Sequence, residues 1–371
     1  MGERVKRYSL KSILSKGAKY NVMFGERSNG KTYAVLYYAF EQWLDSGKQL
    51  AIVRRWDEDF SGANSAKTVY ESLVCNGDGV NVIEKLSDGV YSGVEYYGGK
   101  YFLTQRDPDR PKQMRTDKVI AWGFSLTSCE RYKGASFPQI TTVLFDEFIT
   151  RKFYIPDEFV LFQNVLSTII RLRDDVVIFM AGNTVNKYGC PYFKEMGLYR
   201  IKDMKQGTID VYEYGDSGLT VAVEWCDGQN KQKKSDVYFA FDNPHLQMIK
   251  SGAWEMDIYP HCPMKYVPKD VAFEYFIRYE EIILQCEVIV KDGTPFTFIH
   301  KKTTELKTPD DDIVFCPDYD PRPNWVRRIT EPRTEVMRKI WWFFQNDKVF
   351  YQDNEIGEVV RNYLMWCKQG K

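Results

Sequence analysis

Short apolar runs, each ended by a glycine or a polar residue, alternate through the first half of the chain with stretches whose apolar residues recur every three or four positions. A strand covered on both faces has no polar side to show, so an unbroken apolar run followed by a period near 3.6 predicts strand, then helix. Asn21-Val22-Met23-Phe24 is the first such strand, and Lys31 to Leu44 follows with Tyr33, Leu36, Tyr37, Phe40 and Leu44 at helical spacing. A second strand, within residues 49–56, carries Leu50-Ala51-Ile52-Val53 and ends in Arg54-Arg55. Ile140 to Phe145 makes a third that ends in Asp146-Glu147, a helix is predicted over Asp157 to Arg171, and Asp175 to Asn183 makes a fourth strand with a polar tip. Between the second and third, Tyr91 to Leu103 reads as a hairpin turning on Gly98-Gly99. This alternation predicts an α/β domain with a mostly parallel sheet.

Beyond about residue 200 the pattern changes. Gly207, Gly215, Gly218 and Gly228 punctuate a polar stretch that runs through Lys231-Gln232-Lys233-Lys234, which reads as a connecting segment with some strand content. Ala272 to Arg278, Ile282 to Val290 and Pro295 to Lys301 then look like successive antiparallel strands, with a turn at Asp292-Gly293. Glu331 to Gln345 and Glu355 to Trp366 look helical. The expected division is 1–200 for the α/β domain, 201–262 for a linker and 263–371 for a second, smaller α+β domain.

Composition narrows the class. Lys plus Arg and Asp plus Glu are equal at 51 each, so the chain is no basic coat protein, and contact with a polyanion must come from local clusters. Residues 100–133 form one such cluster, with Lys100, Arg106, Arg110, Lys112, Arg115, Lys118, Arg131 and Lys133 among aromatic residues. The 8 cysteines show no Cys-x-x-Cys pair and the 3 histidines complete no zinc spacing, which suits reduced thiols in a cytosolic protein. No apolar stretch approaches a membrane span and the first residues are too polar for a secretory signal, so no membrane partner is expected.

The sharpest chemistry lies at the end of the first strand. Gly25-Glu26-Arg27-Ser28-Asn29-Gly30-Lys31-Thr32 has the Gly-x-x-x-x-Gly-Lys-Thr spacing of a Walker A loop. Gly25 and Gly30 let the backbone curl so that its N–H groups, including those at Arg27, Ser28 and Asn29, face phosphate oxygens. Lys31 reaches the β and γ phosphates, Thr32 ligates Mg²⁺, and the helix that starts there turns its positive end to the anion. Val143-Leu144-Phe145-Asp146-Glu147 has the form of a Walker B strand, whose Asp146 shares the Mg²⁺ with Thr32. Glu147 beside it is placed to deprotonate an attacking water, which favours ATP hydrolysis over a kinase or a switch. That pair points to the catalytic-glutamate branch of the P-loop enzymes, in which a further strand between the Walker strands carries a polar sensor. Asn183 stands where that sensor is expected, and is equally compatible with an ordinary turn. A guanidinium stabilises the charge that builds on the γ-phosphoryl group. Arg171 and Arg173 are the candidates for supplying it to a neighbouring subunit, and Arg27 or Arg54-Arg55 for supplying it in cis.

Taken in order, the Walker A segment, Val53-Arg54-Arg55, Phe145-Asp146-Glu147-Phe148-Ile149, Tyr154-Ile155-Pro156 and Pro191-Tyr192-Phe193 resemble the double-stranded DNA packaging ATPases of phi29-like tailed bacteriophages, over roughly residues 15–200. The resemblance implies a RecA-like ATPase domain joined to a ribonuclease H-like domain that has lost its metal-binding acids. It also implies a homomeric ring, usually a pentamer, that threads double-stranded DNA into the prohead at the portal vertex in the host cytoplasm. A structural RNA is a further implied partner, and Arg171 matches the arginine that acts in trans. A terminase large subunit with an active nuclease is the rival, with Asp310-Asp311-Asp312, Asp318 and Asp320 as its candidate two-metal site. A nucleotide-switched assembly factor is the other. Lys265, Arg278, Lys301 and Lys302 are candidate contacts of the second domain with DNA, RNA or portal.

Overall fold

The computed structural model describes residues 7–62, 66–75, 79–107, 113–227 and 253–368. The helices are α1 (Lys11–Leu14), α2 (Lys31–Ser46), α3 (Glu71–Val74), α4 (Val82–Leu86), α5 (Glu158–Ile170), α6 (Pro191–Glu195), α7 (Glu335–Gln345) and α8 (Asn354–Lys368). The strands of the first sheet are β1 (Tyr20–Gly25), β2 (Gln49–Arg54), β3 (Gly93–Tyr97), β4 (Lys100–Arg106), β5 (Gln113–Ser125), β6 (Ile140–Asp146), β7 (Val177–Asn183), β8 (Thr208–Tyr214) and β9 (Leu219–Trp225). Those of the second are β10 (Val271–Tyr279), β11 (Ile282–Lys291), β12 (Thr294–Lys301), β13 (Val314–Phe315), β14 (Trp325–Val326) and β15 (Val349–Tyr351). The chain divides into two compact units. One comprises residues up to Val185 together with Cys190–Trp254, the other Asn186–Gly189 together with Glu255–Lys371.

The first unit is built on a nine-stranded sheet in the order β3-β4-β5-β2-β6-β7-β1-β9-β8. Its centre is parallel, and β7 lies between the two Walker strands, paired with β1 on one side and β6 on the other. Successive residues of each central strand feed opposite faces. Val22, Phe24, Val143 and Phe145 pack with Phe162, Val165 and Ile169 of α5, while Met23, Leu50, Ile52 and Leu144 pack with Val35, Leu36, Ala39 and Phe40 of α2. Coverage on both sides is why these strands read as unbroken apolar runs. The β3–β4 hairpin turns on Gly98 and Gly99, both at positive φ (58° and 83°), as a two-residue turn of this hand requires.

Residues 208–225 depart from the expected linker. They form the β8–β9 hairpin, and β9 pairs in parallel with β1 along Tyr20↔Val221 to Phe24↔Trp225. Buried Val221-Ala222-Val223 supplies the apolar core of that strand, and the glycines around it disguise a sheet element as a loop. Lys231 to Lys234 lie outside the described residues.

The second unit holds a six-stranded sheet, β14-β13-β10-β11-β12-β15. β10, β11 and β12 form an antiparallel meander, β13 runs parallel to β10 and β14 parallel to β13, which is the strand arrangement of a ribonuclease H-type domain with β15 added beside β12. Tyr275, Ile277, Leu284 and Cys286 on one face pack against Ile356, Val359, Val360 and Tyr363 of α8. Within the run Trp341-Trp342-Phe343-Phe344, Phe343 is core and Trp342 is exposed.

Candidate nucleotide site

β1 and β6 deliver their ends to the same edge of the sheet, where β1 passes into the loop and then into α2. Ser28 and Gly30 adopt left-handed backbone (φ 61° and 93°), which curls the loop before the helix begins at Lys31. At Gly25 a Cβ would crowd the Cys226 carbonyl at 3.1 Å, and the φ of 155° further disfavours a side chain there. Lys31 is buried, and its Nζ donates to the Glu26 carbonyl at 2.8 Å and to Asn29 Oδ1 at 3.2 Å. Burial pushes this ammonium down to about 8, against the upward pull of Cys226, Asp146 and Glu26.

The Thr32 hydroxyl donates to Asp146 Oδ1 at 2.8 Å, and the other oxygen, Oδ2, lies 2.8 Å from Arg54 Nη2. Burial raises the Asp146 carboxyl, while Arg54 and Thr32 pull it back down. Arg54 also holds Glu147, with Nη1 2.8 Å from Oε2. Glu147 has φ 62°, a turn that lets two consecutive carboxylates diverge: the Asp146 side chain is 8% exposed and that of Glu147 64%. The loop after Glu147 closes over β7 at Gly182, where a Cβ would meet Ile149 Cγ1 at 2.8 Å. Residues 27–33, Asp146-Glu147 and Ala181–Asn183 line a cleft of about 340 Å³. Of the expected phosphate, metal and base residues, all but Gly25 therefore border one space, Asn183 included. A hydroxyl and a carboxylate oxygen side by side form a hard oxygen donor pair that suits Mg²⁺.

Two features beside the cleft have no local sequence signal. The Tyr8 N–H donates to the Asn29 carbonyl and its hydroxyl to Glu224 Oε2 at 2.6 Å, so the segment before β1 is tied both to the loop and to β9. Tyr8, Leu10, Leu14, Tyr33, Tyr37 and Tyr38 wall an adjoining hollow of about 310 Å³, and Tyr33 borders both spaces. Arg54, anticipated only as one of several cationic competitors, proves to be the residue that joins the two Walker B carboxylates.

Arg171 and Arg173 do not line the cleft. They border a separate hollow of about 730 Å³ with Lys133, Phe137, Pro138 and the fully exposed Leu172. Arg173, expected as the second finger candidate, instead has its guanidinium bound to backbone: it donates to the carbonyls of Ile140 (2.7 Å), Ile169 (2.9 Å) and Pro138 (3.1 Å), closing the end of α5. Arg171 caps α5 at φ 53°, is exposed, and its guanidinium donates to the Ala135 carbonyl.

The basic cluster at residues 100–133 is largely neutralised. Arg106 pairs with Glu84, Arg115 with Glu95, Lys118 with Asp117, Arg131 with Asp57 and Lys133 with Glu130, while Lys100 lies 4.5 Å from the Trp122 ring centre. Arg110 and Lys112 lie outside the described residues. In the second unit two of the acids expected to mimic a two-metal site, Asp310 and Asp320, are held by an arginine. Arg322 grips both oxygens of Asp320 (2.8 and 2.7 Å), holding that carboxyl down to about 2, and reaches Asp310 at 3.4 Å. Among the described residues no three His, Cys, Asp or Glu side chains converge as a metal site, and no helix is long and apolar enough to cross a membrane.

The profile of the Podovirus DNA encapsidation protein (Gp16) matches residues 111–242. The DNA packaging protein of Bacillus phage PZA is 24% identical over 290 residues, 77% of this chain and 76% of its own length. That of Bacillus phage phi29 is 24% identical over 189 residues, 50% of this chain and 48% of its own. In fold, the chain matches the bacteriophage Phi-29 viral genome packaging motor assembly over 96% of both chains (TM-score 0.54, 19% identity) and the Phi-28 gp11 DNA packaging motor over 98% of both (TM-score 0.52, 18% identity). The motifs around Lys31 and Asp146 thus mark a relation that extends well beyond them, and the chain is homologous to the DNA packaging proteins of phi29-like Bacillus phages.

Proposed function

We propose that this chain is an ATPase that drives double-stranded DNA into a phage prohead, acting at the portal as one subunit of a homomeric, pentameric ring. The observation that carries the reading is the Thr32–Asp146 hydrogen bond with Glu147 beside it at the cleft mouth, in a chain homologous to DNA packaging proteins. Lys31 and the loop N–H groups bind the phosphates, Thr32 and Asp146 hold Mg²⁺, and the aromatic hollow beside Tyr33 receives the base. When bound, the metal neutralises charge on the β and γ phosphates. Glu147 takes the proton of the attacking water. Arg54 restrains Asp146 and Glu147 together, Asn183 reads the γ-phosphate from β7, and Arg171 serves the neighbouring subunit's nucleotide. A structural RNA and the portal are the remaining partners this reading includes, with the protein in the host cytoplasm and on the prohead only during packaging.

The test is ATP hydrolysis by the purified chain with and without double-stranded DNA, with Glu147→Gln as the blank. Turnover stimulated by DNA, and lost by about 10²-fold or more in the variant that still binds ATP, is expected. Tight ATP binding without turnover under either condition would transfer the reading to a nucleotide-switched assembly factor.

A further inference from the structure

Two consecutive arginines follow each other at the end of β2, and strand geometry sends their side chains to opposite sides. Arg54 reaches the carboxylates. Arg55 turns the other way, where its side chain is 8% exposed. Its Nε and Nη2 hold the two oxygens of Glu158 at 2.8 and 2.9 Å, and Nη2 donates also to the Phe148 carbonyl at 2.9 Å. Nη1 lies 3.3 Å from the Glu147 carbonyl. Glu158 opens α5 with a fully buried side chain, and it accepts in addition from the Tyr192 hydroxyl (2.8 Å) and the Ile155 N–H (2.9 Å). The Tyr154 ring centre lies 5.1 Å from the guanidinium carbon.

A buried ion pair gains little net stability, because desolvation offsets its attraction. Its use here lies in what it holds. The guanidinium fork binds the carbonyls of two consecutive residues, Glu147 and Phe148, and Glu147 sits in left-handed backbone that a bulky residue seldom adopts. We infer that Arg55 is a positioning residue for Glu147: it fixes the peptide from which the general base projects, while Glu158 and Tyr192 fix Arg55. Arg55 does not line the nucleotide cleft, so it acts through Glu147 and leaves binding alone. The inference rests on the reading of Glu147 as the base. A lysine keeps the charge and lacks the planar fork that serves two carbonyls and a carboxylate together.

The experiment compares Arg55→Lys, Glu158→Gln and Tyr192→Phe with the wild-type chain, measuring ATP turnover per nucleotide-binding site and nucleotide affinity separately. A misplacement on the order of 1 Å at the reacting groups costs about 10²-fold, so kcat should fall by roughly 10 to 100-fold in Arg55→Lys with KM and nucleotide Kd within about twofold of wild type. Tyr192→Phe, which removes one hydrogen bond and keeps the ring, should lower kcat by a smaller factor. Wild-type kcat per binding site in Arg55→Lys would overturn the inference even if that variant were less stable. Should Arg55→Lys fail to fold, unchanged kcat in both Glu158→Gln and Tyr192→Phe would overturn it equally. A wild-type chain that binds ATP and never hydrolyses it would remove the underlying reading instead, which is a distinguishable result.

Discussion

The Thr32 hydroxyl donates to Asp146 Oδ1 across 2.8 Å, although 114 residues separate the two in sequence. The contact joins the first turn of α2 to the last residue of β6, and β7 between the Walker strands sets the spacing. If both residues lend an oxygen to the proposed metal, removal of either should weaken metal binding before it weakens the hold on the phosphates. Thr32→Ala should raise the Mg²⁺ concentration needed for half-maximal turnover by about 10-fold or more, by analogy with losses seen when a metal's supporting groups are removed. A magnesium titration at saturating ATP checks this, and an unchanged midpoint counts against Thr32 as a ligand.

Arg54 stands between two carboxylates, and its own side chain and that of Asp146 are 5% and 8% exposed. Arg54→Ala should therefore destabilise the fold by about 3 kcal/mol or more, because it leaves a buried charge without its cation. Asp146 is already raised by burial, and without Arg54 it rises further. An acid whose folded pKa exceeds its unfolded one loses stability as pH climbs between the two values. The deficit of the variant should then shrink as the pH is lowered from 7 toward 5, as read by urea unfolding at each pH. A deficit independent of pH would mean that Asp146 does not bear the loss.

Lys31 gives a pH dependence to binding. Burial holds its ammonium down to about 8 in the nucleotide-free site, and a phosphate group beside it must raise it again. Binding near pH 8 should accordingly take up roughly half a proton, and affinity should fall by up to about tenfold per pH unit once the free-site lysine is neutral. Calorimetry in two buffers of different protonation enthalpy measures the uptake. Affinity that stays constant from pH 7 to 9.5 would show that the lysine stays charged throughout.

Arg171 lies away from its own cleft, at the cap of α5 beside exposed Leu172. If it serves a neighbour, Arg171→Ala should lower kcat by about 10³-fold, the usual range for such a group. Mixing Arg171→Ala subunits with Glu147→Gln subunits should restore part of the activity, since some interfaces then join an intact base to an intact arginine. No recovery in assemblies verified to contain both would confine Arg171 to a structural role.

The strands and the loop that border the candidate site are legible in the sequence because their signals are local. A buried parallel strand is an apolar run whatever its partners, and the Walker A spacing of Gly25, Gly30, Lys31 and Thr32 is a backbone requirement written in consecutive residues. What stayed hidden depends on distant partners. β9 looked like linker because its pairing with β1 lies two hundred residues back in the chain. Arg173 reads from sequence as a second candidate for the arginine acting in trans, and only the fold brings Ile140 and Pro138, well upstream, to supply carbonyls that it binds. The two-residue strands β13 and β14 are too short to carry any period. Arg54 and Arg55 could be noticed as a pair, but only the fold distinguishes the one that holds side chains from the one that holds backbone.

The ion pairs along residues 100–133 bear on how such a surface can treat a polyanion. A cation already satisfied by a neighbouring acid must leave that partner before it can take a phosphate, and the exchange of one exposed pair for another is nearly even in energy. A surface of that kind adheres weakly and lets go easily. On the proposed reading of a DNA translocase, a face of this kind would allow sliding, and a firm hold on the duplex would have to come from other groups.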